Sequence, residues 1–321
     1  MKEHLLCYIR RDRLASWKLD SLERERRNRP VLAYGSNAPT FAEYAKPGNV
    51  LWVVSGSPDA PPSLEARIEI SSQIATEKEW KCEVEGSTEG SQFFGLNDAS
   101  EAVMALVFKS ESSLWSLRNK YSSARWNSSY GRELQSPRRL APPGERVNRH
   151  RSTGAEPLER LALRATNRSV FISWKHADNN RKRRRFIKAL TCHLAELGFS
   201  VWWDQTALSD IHVIYEYEYY KNEPDPTMNK LLRQGLSQTT AVLALWTENY
   251  GTASSAGGPN WTSGEWHFHL SRIALVSGEF VSKPSMIDPD RVLVIPENPD
   301  SADAERIALQ FKRRYDSIKR N

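Results

Sequence analysis

The chain is predicted to fold as two units of different class, an α/β unit with a mainly parallel sheet in its second half and a small β-rich α+β unit in its first. Three observations carry this. Strand and helix patterns alternate regularly after about residue 168, short strand patterns with few helices fill the first ~130 residues, and a sharp change of composition separates the two. At 321 residues, with 39% hydrophobic and 26% charged side chains, the chain suits two ordinary globular domains.

In the second half, Val170–Trp174 is a short apolar run with the character of a buried strand. Phe186, Leu190, Leu194 and Leu197 recur at helical spacing, and Gly198 stands where a C-terminal cap belongs. Strands follow at Phe199–Trp203, Ala241–Trp246 and Arg291–Ile295. Helices are expected around Met228–Leu236, Ser263–Val276 and Ala302–Tyr315. Ligands of such sheets gather at the carboxyl ends of the strands, which directs attention to the residues after Trp174, Trp203, Trp246 and Ile295.

In the first half, Lys46-Pro47-Gly48-Asn49 reads as a turn before the strand Val50–Ser55. Leu64–Ile70 and Val103–Phe108 are further strand candidates, with a helix near Ser113–Tyr121. The composition change lies at Arg132–Arg164, which holds eight Arg, four Glu and four Pro. It reads as a basic linker that turns helical near Leu158–Leu163. The expected division is therefore 1–131, a linker at 132–164, and 165–321.

Forty-five basic residues against 39 acidic give a charge of +6, too small for a general polyanion-binding field. Cys7, Cys82 and Cys192 are widely spaced and predict neither a disulfide framework nor a zinc site. The first residues lack the apolar run of a signal peptide, and no stretch approaches the ~18 apolar residues of a membrane span. A cytoplasmic protein without a membrane partner is expected.

Four segments of the second half, in order, carry a resemblance. They are Ser169-Val170-Phe171-Ile172-Ser173-Trp174-Lys175-His176, Gly198–Asp204 with Leu208, Ala241–Trp246 with Asn249-Tyr250, and Trp261-Thr262-Ser263-Gly264-Glu265. Together they resemble the TIR (Toll/interleukin-1 receptor-like) family, whose domains have a flavodoxin-like α/β fold. The sequence departs from the family at Arg168-Ser169, where an aspartate is usual. It lacks the glycine of the family's BB loop near Ser209-Asp210, and it carries a long tyrosine-rich stretch from Ile211 to Thr227. More loosely, the first ~130 residues resemble the PUA-like superfamily that includes ASCH and EVE domains.

The TIR resemblance implies an NAD+ nucleosidase that breaks the nicotinamide–ribose bond. NAD+ is then the substrate and no further cofactor or metal is implied. The leaving group is already cationic, so such an enzyme must chiefly place negative charge beside a ribosyl-cation-like transition state in a dry pocket. By this resemblance Glu265 is the catalytic carboxylate and Trp261 the neighbouring aromatic. Ser173, Trp174 and Lys175 are substrate-binding at the end of the first strand. Asp204 and Leu208 open the loop that covers the substrate. Antiviral defence or production of a signal nucleotide, controlled by the N-terminal unit, follows as the implied role.

Each residue has a plainer alternative. Thr262-Ser263-Gly264-Glu265 is also a capping box. Trp174, Trp202 and Trp203 suit a core, and Lys175 suits a solvated surface. Arg181-Lys182-Arg183-Arg184-Arg185 places positive charge at a helix start against the macrodipole. That suits an acidic partner or nucleic acid, or a solvated helix end. His267 and His269 are two apart and cannot share a helical face. The competing functions are a TIR scaffold that self-associates without catalysis, and a nucleotide or nucleic-acid reader in the N-terminal unit with the TIR half as output.

Overall fold

The computed structural model describes residues 2–14, 17–18, 24, 32–57, 60–75, 81–95, 97–120, 128–147, 150–174, 181–203, 232, 235–247, 250, 265–266, 268, 271–277 and 288–318. They form two compact units that divide after Leu163.

The first unit is built on a mixed sheet. Its strands are β1 (His4–Arg10), β2 (Ala33–Ser36), β3 (Val50–Ser57), β4 (Ala60–Ala75), β5 (Cys82–Gly86), β6 (Gln92–Phe93), β7 (Phe108–Lys109), β8 (Leu114–Trp115) and β9 (Arg138–Leu140). They lie in the order β2-β5-β4-β3-β1-β9-β7-β8, with β6 also on β4. Only β1 and β3 run parallel among these pairs; the others are antiparallel. The expected turn before β3 is present, with Gly48 at φ +88° donating its N–H to the Ile70 carbonyl at 2.8 Å. The α1 helix (Pro39–Tyr44) inserts Phe41 into a core of Leu5, Cys7, Leu51, Val53, Ile68 and Val84.

Three expectations for this unit change. Ser100–Ala105 is a helix, α2, where a strand beginning at Val103 was expected, and it buries Val103 and Met104. The helix expected over Ser113–Tyr121 shrinks to α3 (Leu117–Lys120), because β8 occupies Leu114–Trp115 and the Ser116 hydroxyl caps the Asn119 N–H at 3.1 Å. The stretch expected as a linker is folded. After α4 (Ser128–Glu133), β9 adds to the sheet beside β1 and β7. A separate hairpin of β10 (Arg146–Val147) and β11 (His150–Arg151) follows, then α5 (Glu156–Asn167). Proline and arginine content concealed a strand only three residues long.

The second unit is a five-stranded, wholly parallel sheet. Its strands are β12 (Ser169–Ser173), β13 (Ser200–Trp203), β14 (Ala241–Trp246), β15 (Arg272–Ser277) and β16 (Val292–Ile295), in the order β13-β12-β14-β15-β16. Counted within the unit this order is 2-1-3-4-5, a doubly wound arrangement whose direction of winding reverses between β12 and β14. The strands are near-continuous apolar runs, as burial on both faces of a parallel sheet demands.

Two helices pack together in this unit: α6 (Arg181–Glu196) and α7 (Ser301–Ile318). Phe186, Ile187, Leu190 and Leu194 form the buried face of α6, which ends at Gly198 with φ +86°. Arg181, Lys182, Arg184 and Arg185 at its other end are exposed. A reciprocal cap opens α7. Asp300 accepts from the N–H groups of Ala302 and Asp303, while Asp303 accepts from the Asp300 N–H at 3.1 Å. Its Phe311 and Tyr315 meet Phe199 edge-on at 5.3 and 5.1 Å.

The helix expected over Ser263–Val276 is replaced in its second half by β15. Residues 265, 266 and 268 are helical, yet Ile273-Ala274-Leu275-Val276 is a central strand. A four-residue apolar run has no period that separates the two, and the buried parallel position decides it. Of the helix expected near Met228–Leu236, only Leu232 and residues from Gly235 onward are described, and these are helical. No helix among the described residues is long and apolar enough to cross a membrane.

Candidate active site at the carboxyl edge of the parallel sheet

Ser173 is the last residue of β12 and pairs in register with Ala244 of β14. It therefore stands at the carboxyl edge of the sheet, at the point where the winding reverses. Tyr250 lies four residues beyond the end of β14, and its N–H is held by the Thr247 carbonyl at 3.1 Å. Glu265 belongs to the helical residues before β15. Two strand-ends and the helical residues before β15 thus deliver three polar side chains to one place.

The Ser173 hydroxyl donates to Glu265 Oε2 at 2.5 Å, and Ser173 Oγ lies 2.7 Å from the Tyr250 hydroxyl oxygen. A serine carries one hydroxyl proton. Once it is given to the carboxylate, the Tyr250 hydroxyl must be the donor in the second bond. The result is a directed chain from Tyr250 through Ser173 to Glu265.

All three are buried, Glu265 at 7% exposure, Tyr250 at 4% and Ser173 at 1%. Burial, with the negative charge of Glu265 close by, pushes the Tyr250 phenol far above its ordinary value, while the bond to Ser173 opposes this. Tyr250 consequently remains a neutral donor at any physiological pH. A carboxylate taken this far out of water is costly, and hydrogen bonds to the charged form offset part of that cost.

Aromatic rings wall the cluster. Trp246, at the end of β14, tilts over Tyr250 at 4.6 Å and meets the edge of Trp266 at 5.1 Å. The Arg272 guanidinium lies over the Trp266 ring at 5.2 Å. Two residues before Ser173 on β12, Phe171 stacks on Trp202 of β13 at 4.6 Å and 9°.

Of the residues singled out from sequence, Ser173 and Glu265 meet directly, and Trp174 is buried beside Ser173 at 4% exposure. Lys175, Asp204, Leu208 and Trp261 lie outside the described residues, as do the first three positions of the capping box, Thr262, Ser263 and Gly264. Trp202 and Trp203 are core side chains. Sequence reasoning gave Tyr250, Trp246 and Trp266 no role in the site. The signal for the first two was their place just past and at the end of a strand beside the winding reversal, and Trp266 adjoins Glu265.

Comparison of the chain with protein-family models and with curated proteins gave no match.

Proposed function

We propose that the second unit is a TIR-type NAD+ nucleosidase with Glu265 as its catalytic carboxylate. One observation carries the reading. A buried carboxylate, oriented by a serine on the first strand, stands at the carboxyl edge of a 2-1-3-4-5 parallel sheet where the winding reverses. The strand order and the four sequence segments resembling TIR domains support it independently.

In this reading the bond between C1′ of the ribose and the pyridinium nitrogen breaks, and its electron pair leaves with nicotinamide as a neutral molecule. Positive charge develops on the ribose, and the Glu265 carboxylate stabilises it electrostatically in a water-poor site. Water then adds at C1′ and loses a proton to Glu265 and on to solvent, giving ADP-ribose. Ser173 fixes the carboxylate rotamer so that little reorganisation is needed during the reaction. Aromatic faces nearby favour a cationic pyridinium by about 0.5–2 kcal/mol. The first unit then serves as the sensing or regulatory module, for which the PUA-like resemblance suggests a nucleotide or nucleic-acid ligand.

The test is nicotinamide release from NAD+ by the purified full chain and by Glu265→Gln. Release by the wild type and none by a folded variant supports the enzyme. Equal release by both assigns the chemistry to another group. No release by concentrated wild type leaves two readings, an enzyme awaiting the ligand of its first unit and a self-associating scaffold.

A further inference from the structure

The hairpin of β10 and β11 pairs Arg146 directly opposite Arg151. Like charges facing each other across an antiparallel ladder are destabilising, by an amount comparable to the roughly 0.2–1 kcal/mol that favourable pairs contribute. Both side chains are exposed, and neither is paired with an acid among the described residues. The single acid between Pro142 and Gly154, Glu145, is taken by Lys109 at 2.7 Å. The same stretch also carries Arg149 and His150.

Short two-stranded hairpins are marginal by themselves, so a hairpin with an internal repulsion needs a firm base. It has one. The Ser152 N–H donates to the Glu145 carbonyl at 2.7 Å and the Gly144 N–H to the Ser152 carbonyl at 2.8 Å. The buried Ser152 hydroxyl donates to the Ala141 carbonyl at 3.0 Å. Gly154 holds φ +65° against Pro143, where a Cβ would come within 2.8 Å of the proline ring. Pro142, Pro143 and two positive-φ glycines therefore fix a ribbon that carries Arg146 and Arg151 on facing strands.

We propose that this hairpin is a nucleic-acid-binding ribbon that lays Arg146 and Arg151 against the phosphates of a DNA duplex. An anionic counterpart reaching both strands of the ribbon at once would relieve this repulsion, and a phosphodiester backbone supplies one. A two-stranded β-ribbon matches the width of the B-DNA major groove. From Glu145 to Ser152 there is no Phe, Tyr or Trp, so the ribbon offers charge and donors rather than the stacking platforms that grip single strands. The assignment is independent of the chemistry proposed for the second unit.

The test is fluorescence anisotropy of a labelled DNA duplex, and of one of its strands alone, titrated with the full chain across a salt series. The wild type is expected to prefer the duplex, with affinity falling steeply as salt rises. Arg146→Gln/Arg151→Gln should lower the slope of log K against log salt by about 1.8, at about 0.9 for each lost phosphate contact. Arg146→Lys/Arg151→Lys should keep the slope. The glutamine variant should melt no lower than wild type, because it loses only a repulsion. No duplex binding by wild type, a preference for the single strand, or an unchanged slope in the glutamine variant overturns the proposal. An unchanged slope there with binding lost in Arg184→Gln/Arg185→Gln moves the contact to α6.

Discussion

Ser173 and Glu265, 92 positions apart in sequence, share a 2.5 Å hydrogen bond with both side chains buried. The bond gives the carboxylate a fixed orientation, and fixed orientation of charge is what stabilisation of a cationic transition state needs. Glu265→Gln retains an acceptor for Ser173 while removing the charge. The expected result is a loss of nicotinamide release by roughly 10²–10³-fold or more, in the range seen when one electrostatic group is deleted from an active site. Stability should hold or rise, because a buried charge has been removed. Circular dichroism and thermal melting beside the activity assay check both parts.

Tyr250 is hydrogen-bonded to Ser173, which in turn holds Glu265, and this makes it a positioning residue. Tyr250→Phe removes one neutral hydrogen bond, a loss of about 0.5–1.5 kcal/mol. Expressed in the transition state, that is roughly a tenfold fall in kcat at most, with KM little changed. Ser173→Ala removes the direct donor and should cost more, about 1–3 kcal/mol. If the three hydroxyl and carboxylate groups work as one chain, the double variant will lose less than the sum of the singles. Strict additivity would show that Tyr250 does not act through Ser173.

The architecture of the second unit was largely legible in sequence, and that of the first much less so. Strands such as Val170–Ser173 and Ala241–Trp246 are apolar runs flanked by polar residues, so composition alone marks them. Ile273–Val276 has the same character but follows a helical pattern without a glycine or proline to divide them, so local sequence extends the helix through a strand. In the first unit, β9 is only Arg138-Arg139-Leu140. Its strand state comes from pairing with Leu5 and Leu6 of β1, some 130 positions away, and local sequence does not encode that. The same holds for the site. Glu265 and Ser173 were legible as separate residues through motif resemblance, whereas the Tyr250 link depends on sheet order.

Alkaline stability gives a second view of Tyr250. Burial and Glu265 raise its phenol above the ordinary tyrosine value of ~10. In the unfolded chain the phenol ionises from about pH 10, while in the folded state it stays protonated. Its contribution is therefore complete below pH ~10 and declines as pH rises further, by roughly 1.4 kcal/mol per pH unit. Denaturant midpoints of wild type and Tyr250→Phe should keep a constant gap from pH 7 to 9. Above pH 10 the wild type should fall more steeply. Parallel curves through pH 11 would show that the phenol is solvated.

Gly235 tests the packing on β12, the strand that carries Ser173. A Cβ at this position would lie 2.3–2.6 Å from three atoms of the Trp202 indole, far inside contact distance. The residue is helical, and there Gly→Ala ordinarily stabilises by about 1 kcal/mol. Here overpacking opposes the gain at roughly 1–3 kcal/mol, because the indole is a rigid ring stacked on Phe171 and cannot swing aside as a flexible chain would. Gly235→Ala should therefore lower the melting temperature of the second unit. Phe171 is two residues before Ser173 on β12, so a displaced Trp202 would also disturb the strand that carries the serine. A stabilised variant with full nicotinamide release would show that the close approach of Gly235 to Trp202 has no part in holding the site.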